Sequence, residues 1–221
     1  PGFVAAPPRD AVARFEAAIT SFPAALLIGT ALFLLLQWPG LVSVWTTGGF
    51  GDTDDAMRLV EVREFLAGKG WADFVQTRMN APEGFRIHWS RVVDLPLAGL
   101  ILAFSQVAAT AQAELMARLV FPILLFVATL GALAAAARRL AGPGGAFAIA
   151  LIAPVTVFTG QFRAGRIDHH APQIMLLCLC VLAMLVSLDP RRARVAAAAA
   201  LAAALSLAIS IENLPFLAAI A

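Results

Sequence analysis

The sequence predicts an all-α, polytopic membrane protein, and three observations carry that prediction. Apolar runs of about twenty residues recur along the chain, long enough to cross a bilayer at about 1.5 Å of rise per residue. Of the 221 residues, 61% are hydrophobic and 14% charged, with a mean hydropathy of +0.84, too little polar surface for a water-soluble fold. The polar residues are also not scattered: they collect in the stretch 52–94 and in the short turns between apolar runs. The formal net charge is only +2, and the pI near 9.0 reflects a few arginines, so nothing points to a nucleic-acid partner.

In chain order, Arg9 and Arg14 precede an apolar run over 18–38, and arginines ahead of a first span favour a cytoplasmic N-terminus. The stretch 38–50, with Pro39, Gly40, Trp45 and a Gly-Gly pair, then belongs to the opposite face. Within 54–67 a charged stripe at Arg58, Glu61 and Glu64 and an apolar one at Leu59, Val62 and Leu66 have the spacing of a helix lying along the membrane surface. The apolar segment 95–109 is short and opens Asp94-Leu95-Pro96. Counted as a span, it would put the arginine clusters 138–139 and 191–194 outside. Read instead as a re-entrant or interfacial helix, it leaves spans at 116–137, 146–163, 172–188 and 194–212, with both clusters in the cytoplasm. The residues 47–112 form a first extracytoplasmic loop within a single transmembrane domain, 1–221, expected to be the N-terminal portion of a longer chain. Cys178 and Cys180 sit mid-span about 200° apart on a helix, which makes them packing residues. The alanines of 196–204 suit close helix approach.

Asp52, Asp54 and Asp55 crowd the start of the surface helix, where backbone N–H groups and the helix dipole stabilise carboxylates. Asp52 as a cap and Asp55 as its capping-box partner account for two of them. Asp168-His169-His170 lies between two spans, where ionisable residues are costly unless used, although Asp168 also suits a helix cap ahead of Pro172. Both clusters fall on one face, which makes a divalent-metal site with aspartate oxygens and a histidine nitrogen. Arg58, Arg86, Arg91, Arg163 and Arg166 lie on or near that face. Each alone suits an interfacial anchor or an ion pair, whereas as a group they suit an anionic head group, because guanidinium forks grip phosphate oxygens. His88-Trp89-Ser90-Arg91 sets an aromatic and hydrogen-bond donors at the same interface. Glu212-Asn213 either joins this site or ends a helix.

Four local features, in this order, resemble the GT-C superfamily of polyprenyl-phosphate-dependent glycosyltransferases: oligosaccharyltransferase catalytic subunits, protein O-mannosyltransferases and lipid A aminoarabinose transferases. They are DDAMRLVEVREFL opening a helix at Asp54, the Pro-containing DLPLAGLILAF, the span and turn AAAARRLAGPGGAFAIALIAP, and AGRIDHHAPQIML, similar to the Asp-x-Glu segment of oligosaccharyltransferases. The resemblance spans 51–188. It implies a GT-C-like helical fold and a first-loop catalytic acid at Asp54 or Asp55. It also matches Asp168 and His170 to the two ends of Asp-x-Glu, with His170 in place of an acid.

The function this implies is transfer of a sugar from a polyprenyl-phosphate-linked donor to an acceptor at the outer membrane face. A magnesium or manganese ion is expected on Asp55, Asp168 and His170, although a histidine ligand leaves the metal open. Arg58, Arg86, His88, Arg91 and Arg166 would bind the substrate, and the prenyl tail would lie along 95–104. The expected location is a bacterial inner membrane with the site facing the periplasm, in contact with membrane lipid and with room for other membrane subunits. A non-catalytic subunit of a membrane complex is the alternative. A transporter component ranks below it, because the spans are nearly all Ala, Leu, Val and Ile.

Overall fold

The computed structural model describes residues 9–220. Residues 1–8 lie outside it, as do the side chains of 9–12 and 15, so the side chain of Arg9 is not among the described features. The chain is 77% helical, and the strands among the described residues are β1 (Val75–Gln76) and β2 (Phe85–Arg86), an antiparallel pair with Val75 opposite Arg86. The all-α prediction holds, and four helices are long and apolar enough to cross a membrane, the last of them counted over Pro190–Ile209.

A short helix α1 (Arg9–Ile19) leads into α2 (Phe22–Thr47), capped by Ser21, whose Oγ accepts from the Ala24 N–H at 3.4 Å. The apolar run predicts a span ending at Trp38, whereas the helix runs through Pro39 and Gly40 to Thr47. Proline removes one backbone donor, and an apolar helix tolerates that better than exposing a whole turn of unpaired groups. It stops at Gly48, whose φ of +64° turns the backbone out while its N–H still reaches the Val44 carbonyl at 2.9 Å.

The helix α5 (Thr110–Ile152) has 43 residues, about 65 Å if straight, or twice a bilayer core. It reverses at Gly142, where φ is +72° and ψ is −167°. Ala134 of the first arm therefore packs with Ala146 and Ala150 of the second and with Ala25 of α2. The two arms match the expected spans 116–137 and 146–163, the second being completed by 3-10 turns at Ala153–Val155 and Val157–Phe162. Gly29 of α2 meets both arms: a β-carbon there would lie 2.7 Å from Leu130 Cδ2 and 3.0 Å from the Ala150 carbonyl. Next to this contact Phe33 stacks on Phe126 with ring centroids 3.8 Å apart.

A second apolar core joins α4 (Arg91–Phe104), the first arm of α5, α6 (His170–Ser187) and α7 (Ala196–Ile209), through Leu97, Ile101, Phe121, Leu176 and Ala202. The buried Ala199 and Ala202 let α7 approach closely. At 14 residues, about 21 Å, α4 is too short to cross, in line with an interfacial helix. After α7, a turn at Ile211–Asn213 precedes α8 (Leu214–Ile220).

The surface helix differs from expectation. In α3 (Thr53–Leu66) the charged stripe is turned inward, with Arg58 and Glu61 only 1% and 3% exposed. The cause lies on α4, whose Asp94 and Arg91 face them: Arg58 Nη1 donates to Asp94 Oδ1 at 2.8 Å, and Arg91 Nη1 lies 3.1 Å from both Asp94 Oδ2 and Glu61 Oε2. Gln76 on β1 donates to Glu61 Oε1 at 2.7 Å. At the other flank Arg63 grips Glu114 of α5 with two hydrogen bonds, 2.7 and 2.5 Å.

These contacts give the bundle two chemically distinct ends. The end of α2, the start of α3, the turn 163–169 and the 211–213 turn meet at one of them. The α5 reversal with Arg138 and Arg139, and the Pro190–Val195 turn with Arg191, Arg192 and Arg194, terminate the same helices at the other, with all five arginines exposed. The two acidic clusters thus share one end, and the two arginine clusters share the opposite one.

Candidate active site

At the acidic end Asp52 precedes the first turn of α3, and its Oδ1 accepts from the Asp54 N–H at 3.1 Å, so it is the helix cap. Asp55 sits one turn in and is turned towards the turn 163–169, where its Oδ1 accepts from the Ile167 N–H at 2.8 Å. That bond, between residues 112 apart in the chain, replaces the expected capping box.

The turn itself is formed by Gly165, at φ +82°, followed by Arg166, Ile167 and Asp168, all buried. Arg166 is its centre. Its Nη1 lies 2.9 Å from Asp52 Oδ2 and 3.7 Å from Asp55 Oδ2, its Nη2 donates to Asp168, and its Nε donates to Gln161 Oε1 at 2.9 Å. Three carboxylates from two distant segments therefore converge on one guanidinium. Asp168 also accepts from the His170 backbone N–H at 3.0 Å and lies 2.9 Å from His170 Nδ1, which makes it both a local cap and an ion-pair partner.

The carboxylates differ electrostatically. Burial pushes the Asp55 carboxyl up to about 6, against the Ile167 hydrogen bond and the Arg166 charge, which pull it down. Burial raises Asp168 as well, but its bonds to His170 and the Arg166 charge outweigh this and hold it below the usual carboxylate range. One group is thus ionised at neutral pH while its neighbour titrates close to it.

Two cavities open beside this cluster. One, of about 270 Å³, is lined by Ser43, Thr47, Gly49, Phe50, Asp55, Arg163 and Arg166. Arg163 is exposed at its edge: its carbonyl accepts from the Arg166 N–H at 3.0 Å, while its side chain makes no hydrogen bond or ion pair among the described residues. The other, of about 210 Å³, lies on the far flank of α3 and is lined by Asp54, Met57, Met79, Phe85, His88 and Trp89. Asp54 and Asp55, adjacent in sequence, face different cavities.

Of the residues expected to bind substrate, Arg166 and His88 each line a cavity. Arg86 is exposed on β2, its guanidinium 5.6 Å from the Phe74 ring centre. Arg58 and Arg91 are buried in the α3–α4 ion pairs, with Arg58 packed 4.7 Å over the Trp89 ring. For the expected metal set, Asp55 and Asp168 converge on Arg166 rather than on an open centre, and His170 turns Nδ1 to Asp168 and Nε2 towards Glu212. Those three residues therefore do not present free donors to a common point.

Glu212 joins the acidic end, 3.3 Å from His169 Nε2, whereas Asn213 is buried and donates to the Gln173 carbonyl at 3.0 Å and to Ser206 Oγ at 2.9 Å. Arg118 joins this end without having been among the expected residues. Buried on α5, it donates to the Gly48 carbonyl at 2.9 Å and to that of Gly49, and it lies 3.7 Å from the Phe50 ring centre. It fixes the loop that walls the larger cavity. An arginine just inside a long apolar run was a signal available in the sequence.

Among known proteins, no family model matches the chain, and neither the curated proteins nor the solved structures give a match. The likeness to polyprenyl-phosphate-dependent glycosyltransferases rests on the chain's own motifs.

Proposed function

We propose that this protein is a membrane glycosyltransferase that takes a sugar from a polyprenyl-phosphate-linked donor at the acidic end of its helical bundle. The observation that carries the reading is the convergence of Asp52, Asp55 and Asp168 on Arg166 at the wall of a polar cavity that also holds the unpaired Arg163. Buried clusters of carboxylates and guanidinium are costly for a fold to keep, and a perturbed carboxylate in a cleft is a functional pointer.

In this reading the donor phosphate enters beside Arg163 and Arg166, whose guanidinium groups take up the negative charge that grows on it. The acceptor's nucleophilic atom bonds to the anomeric carbon while the bond from that carbon to the phosphate oxygen breaks. The bonding pair leaves on the phosphate. The acceptor's proton passes to Asp55, whose carboxyl, titrating near 6, is suited to act as a base close to neutrality. The positive-inside rule puts the arginine-bearing end in the cytoplasm and the site on the outer face, periplasmic in a bacterial inner membrane.

The alternative, a non-catalytic subunit, is favoured by one feature: Arg58, Arg91 and Arg166 are all engaged by internal carboxylates. Turnover separates the two. Membranes containing the protein and a polyprenyl-phosphate-linked sugar are expected to consume the donor, and Asp55→Ala and Asp168→Ala to cut that at least about a hundredfold with insertion intact, as expected for loss of an acid–base group. Full turnover in both variants rules this mechanism out, and no turnover in the unaltered protein favours the subunit.

A further inference from the structure

Beside the guanidinium-centred cluster, the acidic end holds a second group of donors that the transfer chemistry above does not use. His169 lies at the start of α6 and His170 in its first turn, with their rings stacked at 4.3 Å between centroids, and Glu212 reaches them from the turn after α7. His169 Nε2 is 3.3 Å from Glu212 Oε1, and His170 Nε2 is 3.8 Å from Glu212 Oε2. One donor atom from each residue lies within 4.8 Å of the other two.

The tautomer of His170 follows from its partner. A carboxylate can only accept, so at 2.9 Å from Asp168 Oδ2 the Nδ1 carries a proton, and Nε2 is the ring nitrogen left facing Glu212. Both Nε2 atoms thus face the same Glu212 carboxylate.

We infer that His169 Nε2, His170 Nε2 and a Glu212 oxygen form a site for a borderline transition-metal dication of the zinc class. The donor set, two imidazoles and one carboxylate, suits such an ion and not the hard magnesium ion, which takes oxygen ligands. Ligand atoms around a tetrahedral ion with bonds of about 2.0–2.1 Å stand about 3.3 Å apart. One edge fits as it stands. Of the other two, each at most about 1.5 Å too long, the His170–Glu212 edge closes by movement of the 49% exposed Glu212 side chain and the His169–His170 edge by rotation of the stacked rings. Asp168 takes the supporting place, orienting His170 through Nδ1 as carboxylates orient metal-bound histidines. Three protein ligands leave a fourth position of a tetrahedral ion open. The inference goes beyond the transferase reading and stands without it.

The test is titration of the metal-stripped protein in detergent with Zn²⁺ against a chelating dye, with the absorption of bound Co²⁺ as a second readout. One ion per chain is expected. His169→Ala, His170→Ala and Glu212→Gln should each weaken binding at least about a hundredfold, and Asp168→Asn about ten- to a hundredfold. Asp55→Asn should bind as the unaltered protein does. Unfolding of each metal-free variant, compared with the metal-free parent, separates lost ligation from lost fold. The inference is overturned by an absence of saturable binding, by unchanged affinity in the His169 and Glu212 variants, or by Asp55→Asn losing as much as His170→Ala. That last pattern would place the ion on Asp55, Asp168 and His170. Donor turnover enters none of these readouts, so failure of the transferase reading would be seen separately.

Discussion

Burial sets Asp55 apart from its neighbour Asp54. With its carboxyl raised from 3.8 to about 6, the folded protein holds a proton there at pH values where the unfolded chain has released it. Unfolding free energy therefore falls as pH rises from about 4 through 6, by up to about 3 kcal/mol for this one group. Asparagine resembles the protonated acid and keeps an oxygen for the Ile167 N–H. The stability of Asp55→Asn relative to the unaltered protein should accordingly grow by about 2–3 kcal/mol between about pH 4 and about pH 7, read by chemical unfolding at each pH. A difference that is flat or shrinks across that range would mean that Asp55 is not buried as a charge. The sequence could not choose between Asp54 and Asp55. Adjacent helical residues point about 100° apart, and which of them meets the partner segment depends on where the turn 163–169 lands more than a hundred residues later.

At the scale of the element, α3 and α4 are held together by charge as well as by apolar packing. Arg58, Asp94, Arg91 and Glu61 form an alternating chain of ion pairs that is almost wholly buried. Breaking a buried pair from one side leaves an uncompensated charge, so Arg58→Ala should destabilise the protein by about 3–5 kcal/mol. Arg86→Ala, at an exposed strand position, should stay within about 0.5 kcal/mol. Denaturation midpoints of the two variants check this. A stable Arg58→Ala protein with weakened substrate binding would return Arg58 to the substrate-binding role that the sequence suggested. The charged stripe was legible as a periodicity, but its direction was not. Asp94 reads as the first turn of the next helix, and only the fold shows that α4 brings it and Arg91 against the same face. Arg63 and Glu114, 51 residues apart, were invisible as a pair for the same reason.

At the scale of the whole molecule the sequence was most informative, because alternation of spans and placement of arginines are properties of the chain order. The reversal at Gly142, the Ala-rich α7 and the short α4 all follow from composition and breakers, and so does the segregation of acidic and arginine clusters to opposite ends. The length of α2 did not, since Pro39 and Gly40 read as an ending in a solvent-exposed context and are tolerated within an apolar helix. This arrangement puts the cavity with Arg163 and Arg166 at one end of the bundle, where a lipid head group would lie. The most direct test is saturation binding of a polyprenyl phosphate to the protein in nanodiscs, comparing the unaltered protein with Arg163→Ala. A charge-assisted contact to phosphate contributes about 1.5–3 kcal/mol, so the variant should bind roughly ten- to a hundredfold more weakly. Equal affinity in the two proteins, or no saturable binding in either, would contradict a lipid-phosphate site at this cavity.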